Sequence, residues 1–269
     1  MISLSISPGC GNHRSRKLPE RKGLGLHARL HSLDQPTRNW IFGDGNRCLC
    51  LTGLWSVEPF QLFYDSAIIP SDALVLFDGE SLDLWRGDDG NAAQWDINGR
   101  VLRVRPGQGG IATVEEFCDI QLHIEWKSPL RGMNGDGEGQ IWGNSGVFLQ
   151  SRYEVQVLNS YENKTYANGQ AGSIYKQHPP LVNASKSPGQ WQSYDNLFSA
   201  PHFDTNGDVE TPARVTVLHN GGVVQNNREI KGPTQYIGLP SYEQHGCAPL
   251  YLQDHGEAIE FRNIWVRKL

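Results

Sequence analysis

Glu154 is the single carboxylate in a run of amides. Between Ile141 and Tyr161 the chain reads IWGNSGVFLQSRYEVQVLNSY, placing Gln150, Glu154, Gln156 and Asn159 close together with Trp142 and Tyr161 at the flanks. Amides and a carboxylate beside aromatic rings suit the binding of a polyol. An ordinary solvated sheet face is the alternative, because alternation is common to antiparallel sheets. Other candidate groups carry less. Asn134, Asp136 and Glu138 lie in a glycine-rich loop, 129–143, whose spacing breaks a calcium loop; it reads as a mobile segment bordering a site. Asp204–Asp208 has Val209 where such a loop wants glycine, so it reads as a hairpin turn. His123 falls on the polar side of a strand, where a solvated ring is the simpler reading, and His219 reads as structural. Cys48 and Cys50 lack the second pair of a zinc site. For Cys118 and Cys247 a disulfide is open, with two buried free thiols the favoured reading. The sequons at Asn163 and Asn183 read as chance matches.

These groups must be carried by strands. The run Tyr153–Leu158 alternates Val155 and Val157 with Glu154 and Gln156, which sets apolar and polar side chains on opposite faces. Ile120, Leu122, Ile124 and Trp126 alternate in the same way, and Ile259, Phe261, Ile264 and Val266 are the expected core set of the last strand. Asn98-Gly99 and Asn220-Gly221-Gly222 mark hairpins. Tyr161–Gln192 is a long irregular excursion whose aromatic residues argue for order and function. No helix of convincing length and no internal repeat is evident. With 30 Gly and 15 Pro in 269 residues, the chain predicts many short strands joined by tight turns, a two-sheet sandwich.

Order is expected from Asp72 onward. Residues 1–71 are basic and aperiodic, and read as a disordered leader or the product of an upstream start codon; an arm for an anionic surface is the alternative. A net charge of −5 gives no electrostatic support to nucleic-acid binding. No run approaches the apolar length that spans a membrane, and no secretory signal pattern opens the chain.

Several segments then become familiar in order: Leu76-Phe77-Asp78-Gly79 with Trp85, GNSGVFLQ, YEVQVLNSY, GQAGSIY, PPLVNAS, PGQWQSYD, PARVTVLHNG, QDHG and FRNIWVR. From about Ala73 to Leu269 the chain resembles the 3-keto-disaccharide hydrolase domain family. The resemblance implies a concanavalin-like jelly roll of two curved antiparallel sheets, with the site on the concave face. It also implies a bacterial hydrolase of carbohydrate metabolism acting on glycosides already oxidised at C3, commonly exported to the periplasm or beyond. An Asp is common in that family where this chain has Asn159. The strand also resembles the E-x-D-x-x-E pattern of laminarinase-like glycosidases, but only Glu154 survives of its carboxylates. Direct hydrolysis needs two, roughly 5–10 Å apart. That route is disfavoured.

A 3-keto sugar offers another route, in which a base removes the C2 proton, the enediolate expels the aglycone, and water adds to the unsaturated sugar. Glu154 or His255 is the expected base, with Asp254 orienting His255. Lys176 or Arg214 would hold the developing oxyanion, and Gln150, Gln156, Asn159, Trp142, Tyr161 and His178 would bind the sugar. A divalent metal on Glu154, His255 and loop oxygens would serve the same end, though no spacing demands it. A non-catalytic carbohydrate-binding module and a direct glycosidase are the alternatives.

Overall fold

The computed structural model describes residues 69–132 and 138–269. Residues 1–68 of the expected leader, and Asn134 and Asp136 of the glycine-rich loop, lie outside the described residues. Fifteen strands follow in order among those described: β1 Leu74–Phe77, β2 Trp85–Gly87, β3 Asp96–Asn98, β4 Val101–Arg103, β5 Ile111–Phe117, β6 Ile120–Lys127, β7 Ser145–Leu149, β8 Tyr153–Val157, β9 Gln192–Ser199, β10 His202–Phe203, β11 Val209–Thr211, β12 Arg214–His219, β13 Gly222–Glu229, β14 Ala248–Leu252 and β15 Glu260–Lys268. Among the described residues helix is confined to two 3-10 turns, Gly139–Ile141 and Ala167–Gly169. The expected all-β sandwich is what forms.

The larger sheet has the order β13-β12-β9-β6-β15-β4-β3, with β1 also on β15; the smaller has the order β2-β5-β14-β7-β8. β10 and β11 make a separate ribbon. β15 can take both β1 and β4 because they pair with different stretches of it, Ile264–Val266 and Glu260–Phe261. Both hairpin signals produce two-residue turns of positive φ, which match the twist of the flanking strands. Asn220 and Gly221 (φ +53° and +80°) close β12 on β13 as expected. The first turn falls one residue later than expected: Asn98 pairs with Val101, so Gly99 and Arg100 (φ +56° and +68°) occupy its centre.

The core lies between the sheets. Ile120, Leu122, Ile124 and Trp126 of β6 are buried, facing Val147 and Leu149 of β7, Tyr153, Val155 and Val157 of β8, and Leu250 and Leu252 of β14 in one apolar cluster. In β15, Phe261, Ile264 and Val266 are buried as expected. Their three-residue gap is a bulge: Asn263 has φ +49°, and the register with β6 shifts between Arg262 and Trp265. The extra residue returns Ile264 to the inner face.

Two expectations are corrected here. Cys118 and Cys247 form a disulfide rather than two free thiols. Ala248 of β14 pairs with Phe117 of β5, so the residues just beyond that pair meet. His123 is not solvated: it is 4% exposed, with Nδ1 2.7 Å from Asp195 Oδ1 and its ring stacked on Trp265. Burial opposes its charge, but Asp195 and Glu125 outweigh that and push its pKa up to about 9. Glu125, despite its own burial, is held at about 2 by His123, Asn263 and Arg262. His219 is structural as expected, buried with Nε2 2.8 Å from Gln192 Oε1.

Candidate active site

The inner faces of β7 and β8 are committed to the core, so their alternate residues face outward. In β8 these are Glu154 and Gln156; in β7, Gly146 and Phe148. The register sets Phe148 opposite Glu154 and Gly146 opposite Gln156. Next along the sheet, Tyr251 of β14 pairs with Phe148, and the two rings meet edge-on at 5.5 Å. An aromatic floor therefore lies beside the carboxyl group. Gly146 makes the room. A Cβ there would sit 2.8 Å from Glu154 Oε1 and 2.7 Å from Phe148 Cε2, closer than such atoms approach.

Although it faces away from the core, Glu154 is only 4% exposed. Loops cover it. Thr234 Oγ1 accepts from its backbone N–H (3.0 Å), and its carbonyl accepts from the N–H of Tyr175 (3.1 Å). Burial alone pushes the carboxyl up to about 8, with no contribution from a neighbouring charge. The amide of Gln156 lies 2.8 Å from Glu154 Oε1. A carboxyl group so placed exchanges its proton near neutral pH.

The long excursion supplies one wall. The Tyr175 phenol is 2.6 Å from that of Tyr166, and burial, Tyr166 and the Glu154 charge raise its pKa. Lys176 follows in the left-handed region, φ +61°, where a lysine is strained. Asn168 holds it there, its carbonyl accepting from the Lys176 N–H (2.8 Å) and its side-chain amide donating to the Lys176 carbonyl (3.0 Å). The ammonium is then 3.9 Å from the Tyr166 ring centre and 5.0 Å from that of Tyr236, an exposed tyrosine of the loop that carries Thr234.

A buried carboxyl of raised proton affinity, beside an aromatic floor and under a lysine–tyrosine wall, sits within a chain that has recognisable relatives. Residues 72–267 match the model of the 3-keto-alpha-glucoside-1,2-lyase-like domain. The chain belongs to this family. A 3-keto-disaccharide hydrolase of Bacteroides thetaiotaomicron is 23% identical over 76% of this chain and 82% of its own. A crystallised protein of Parabacteroides distasonis, provisionally named a glycosyl hydrolase, is 50% identical, with a TM-score of 0.71 over 74% of this chain and 84% of that one. A second such protein from the same organism, 19% identical with a TM-score of 0.54, shares the fold.

Within this 3-keto-alpha-glucoside-1,2-lyase-like domain, the expected site residues separate into two groups. Glu154 and Gln156 come together, while Lys176, next in the chain to Tyr175, rests its ammonium over the Tyr166 and Tyr236 rings. Most of the rest are drawn elsewhere. Gln150 lies in the turn after β7, φ +51°, and donates from Nε2 to the Phe117 carbonyl (3.0 Å). Arg214 is on β12 of the other sheet, bonded to Asn227 and Glu229. His178 Nε2 lies 2.8 Å from the Glu229 carbonyl oxygen, which the ring N–H satisfies. Asp254 does not orient His255: its carboxylate accepts from the N–H groups of Gly107, Gly109 and Gly256, pinning the loop before β5, while His255 is exposed. Asn159 is fully buried, and Trp142 donates from Nε1 to the Pro129 carbonyl (3.2 Å) and accepts at its own carbonyl from the Asn159 N–H (3.3 Å). Tyr161 stands 40% exposed. No group of three or more His, Cys, Asp or Glu side chains is placed to hold a metal among the described residues.

Phe148, Tyr175, Tyr251, Gln140 and Thr234 were not foreseen. Outward register alone pointed to Phe148 and Tyr251. Tyr175 and Thr234 reach Glu154 from loops, and Gln140 reaches Gln156 from a 3-10 turn, segments that carry no such periodicity.

Proposed function

We propose that this protein cleaves 3-keto-glycosides by eliminating the aglycone and then hydrating the unsaturated sugar. The observation that carries this reading is Glu154, a carboxyl pushed up to about 8 and placed beside the Phe148–Tyr251 floor. The C3 ketone acidifies the C2 hydrogen, and a carboxylate of raised proton affinity is a stronger base for it than an ordinary one. Taking that proton leaves an enediolate, whose negative oxygen the Lys176 ammonium would stabilise. Collapse of the enediolate breaks the C1–oxygen bond. The Tyr175 phenol, close enough to feel the Glu154 charge, would return a proton to the departing oxygen. Phe148 and Tyr251 offer apolar faces to the sugar ring. The family and the name of the Bacteroides relative support the substrate class. The disulfide suits an oxidising compartment, in keeping with an exported protein.

The test is turnover of a 3-keto-glucoside carrying deuterium at C2. Aglycone release with exchange of the label into water is expected. Saturable binding without release would make the protein a carbohydrate-binding module, and equal turnover of the unoxidised disaccharide would replace elimination by direct hydrolysis.

A further inference from the structure

The carboxyl of Glu154 stands at one end of a chain of amides. Its Oε1 is 2.8 Å from one amide atom of Gln156, and that atom is 3.1 Å from the carbonyl oxygen of Ser145. The other amide atom of Gln156 is 2.9 Å from Gln140 Oε1 and 3.4 Å from Asn144 Oδ1. Gln140 donates from Nε2 to Thr165 Oγ1 (3.0 Å) and to the Gly169 carbonyl (2.9 Å).

Each amide has one donating and one accepting end, so direction is transmitted along the chain. The Gly169 carbonyl can only accept, which turns the Gln140 NH2 toward it and the Gln140 oxygen toward Gln156. Gln156 then donates to Gln140 and presents its own oxygen to Glu154. Two oxygens 2.8 Å apart require a proton between them, and Glu154 supplies one only as the neutral acid. With Gln156 turned over, its NH2 instead donates to a Glu154 carboxylate and to the Ser145 carbonyl. Its oxygen then faces Gln140 Oε1 at 2.9 Å with no proton between them, unless Gln140 also turns and sets its oxygen against Gly169. One direction belongs to the acid and the other to the carboxylate. The acid direction leaves the Gln156 oxygen facing the Ser145 carbonyl, and the reverse leaves it facing Gln140 Oε1 and, at 3.4 Å, Asn144 Oδ1, so neither direction satisfies every group.

We propose that Gln156 and Gln140 are positioning residues that set the proton affinity of Glu154, and that the amide chain reverses when Glu154 gains or loses its proton. Its catalytic meaning rests on the function proposed above; its physical content does not. Gln140→Leu removes the acceptor that holds Gln156 in the acid-stabilising direction, so the Glu154 pKa falls. Gln156→Leu removes the donor available to the carboxylate, so the pKa rises. Each shift is expected to be about one pH unit or more, tenfold in proton affinity.

The experiment is a carbon-13 NMR titration of side-chain-labelled glutamate in the ligand-free full chain. The Glu154 signal is identified by its absence in Glu154→Gln. Opposite shifts in the two variants are expected. Shifts of the same sign, or none, in variants with native near-UV circular dichroism would overturn the proposal; Gln140→Met serves if Gln140→Leu does not fold. Because no substrate is used, failure of the 3-keto-glucoside assay would remove the function while leaving this result standing.

Discussion

Glu154 and Gly146 define what single residues contribute. Glu154→Gln keeps the shape and removes the ionisable group, so kcat/KM for a 3-keto-glucoside should fall by about 100-fold or more, the usual scale for a lost general base. In the unaltered enzyme kcat/KM should rise with pH and level off above about 8, where the base is ionised. A falling limb through that pH would make the acid form the active one. Gly146→Ala places a methyl group against both Glu154 and Phe148. Steady-state assays should show a loss of roughly tenfold or more, on the scale expected from misplacing a catalytic group by about 1 Å. Glu154 was legible from the sequence because alternation put it on the face opposite Val155. Its burial was not, since that depends on loops far away in sequence.

At the scale of elements, the smaller sheet presents the candidate site and loops cover it. The disulfide joins the turn between β5 and β6 to the residue before β14, across 129 positions of sequence. Cross-linking so long a loop restricts the unfolded chain strongly. Replacing both cysteines by serine should lower stability by about 2–4 kcal/mol in denaturant unfolding. Strand periods were readable where one face is apolar, as in β6, β8 and β15. Gln150 shows the limit: its outward position seemed to follow from β7, but the chain turns there at positive φ and sends the amide to Phe117. Arg214 shows another, because a strand's pattern does not say which sheet it joins.

The whole molecule carries a pH signature. Unfolded Glu154 loses its proton near 4.5, whereas the folded residue keeps it to about 8. Across that window the folded state binds more protons, so stability falls as pH rises, on the order of several kcal/mol in total. His123 adds to this from 6.5 to about 9, since its folded pKa is raised and its contribution is lost as pH rises through that value. Glu125 acts oppositely, its contribution being present above 4.5 and lost as pH falls toward about 2. Buried His219, pushed down to about 4, acts oppositely to Glu154 as pH rises toward 6.5, so stability should be greatest between about pH 4.5 and 6.5. Urea midpoints measured against pH should decline above that, and Glu154→Gln should flatten the part below 8.

The sequence by itself determined the all-β class, the hairpins, the inner faces of the principal strands and the outward position of Glu154 and Gln156. These follow from periodicity and turn chemistry, which act between near neighbours in the chain. Tertiary structure decided which residues meet Glu154, and which candidates were claimed by other work. Asp254 was taken by three backbone N–H groups, Arg214 by the opposite sheet, and His123 by Asp195, because buried polar groups bind whatever partner the fold brings near. The proton affinity of Glu154 belongs to the same class. Desolvation is set by everything packed around a group, and only the folded chain supplies those neighbours.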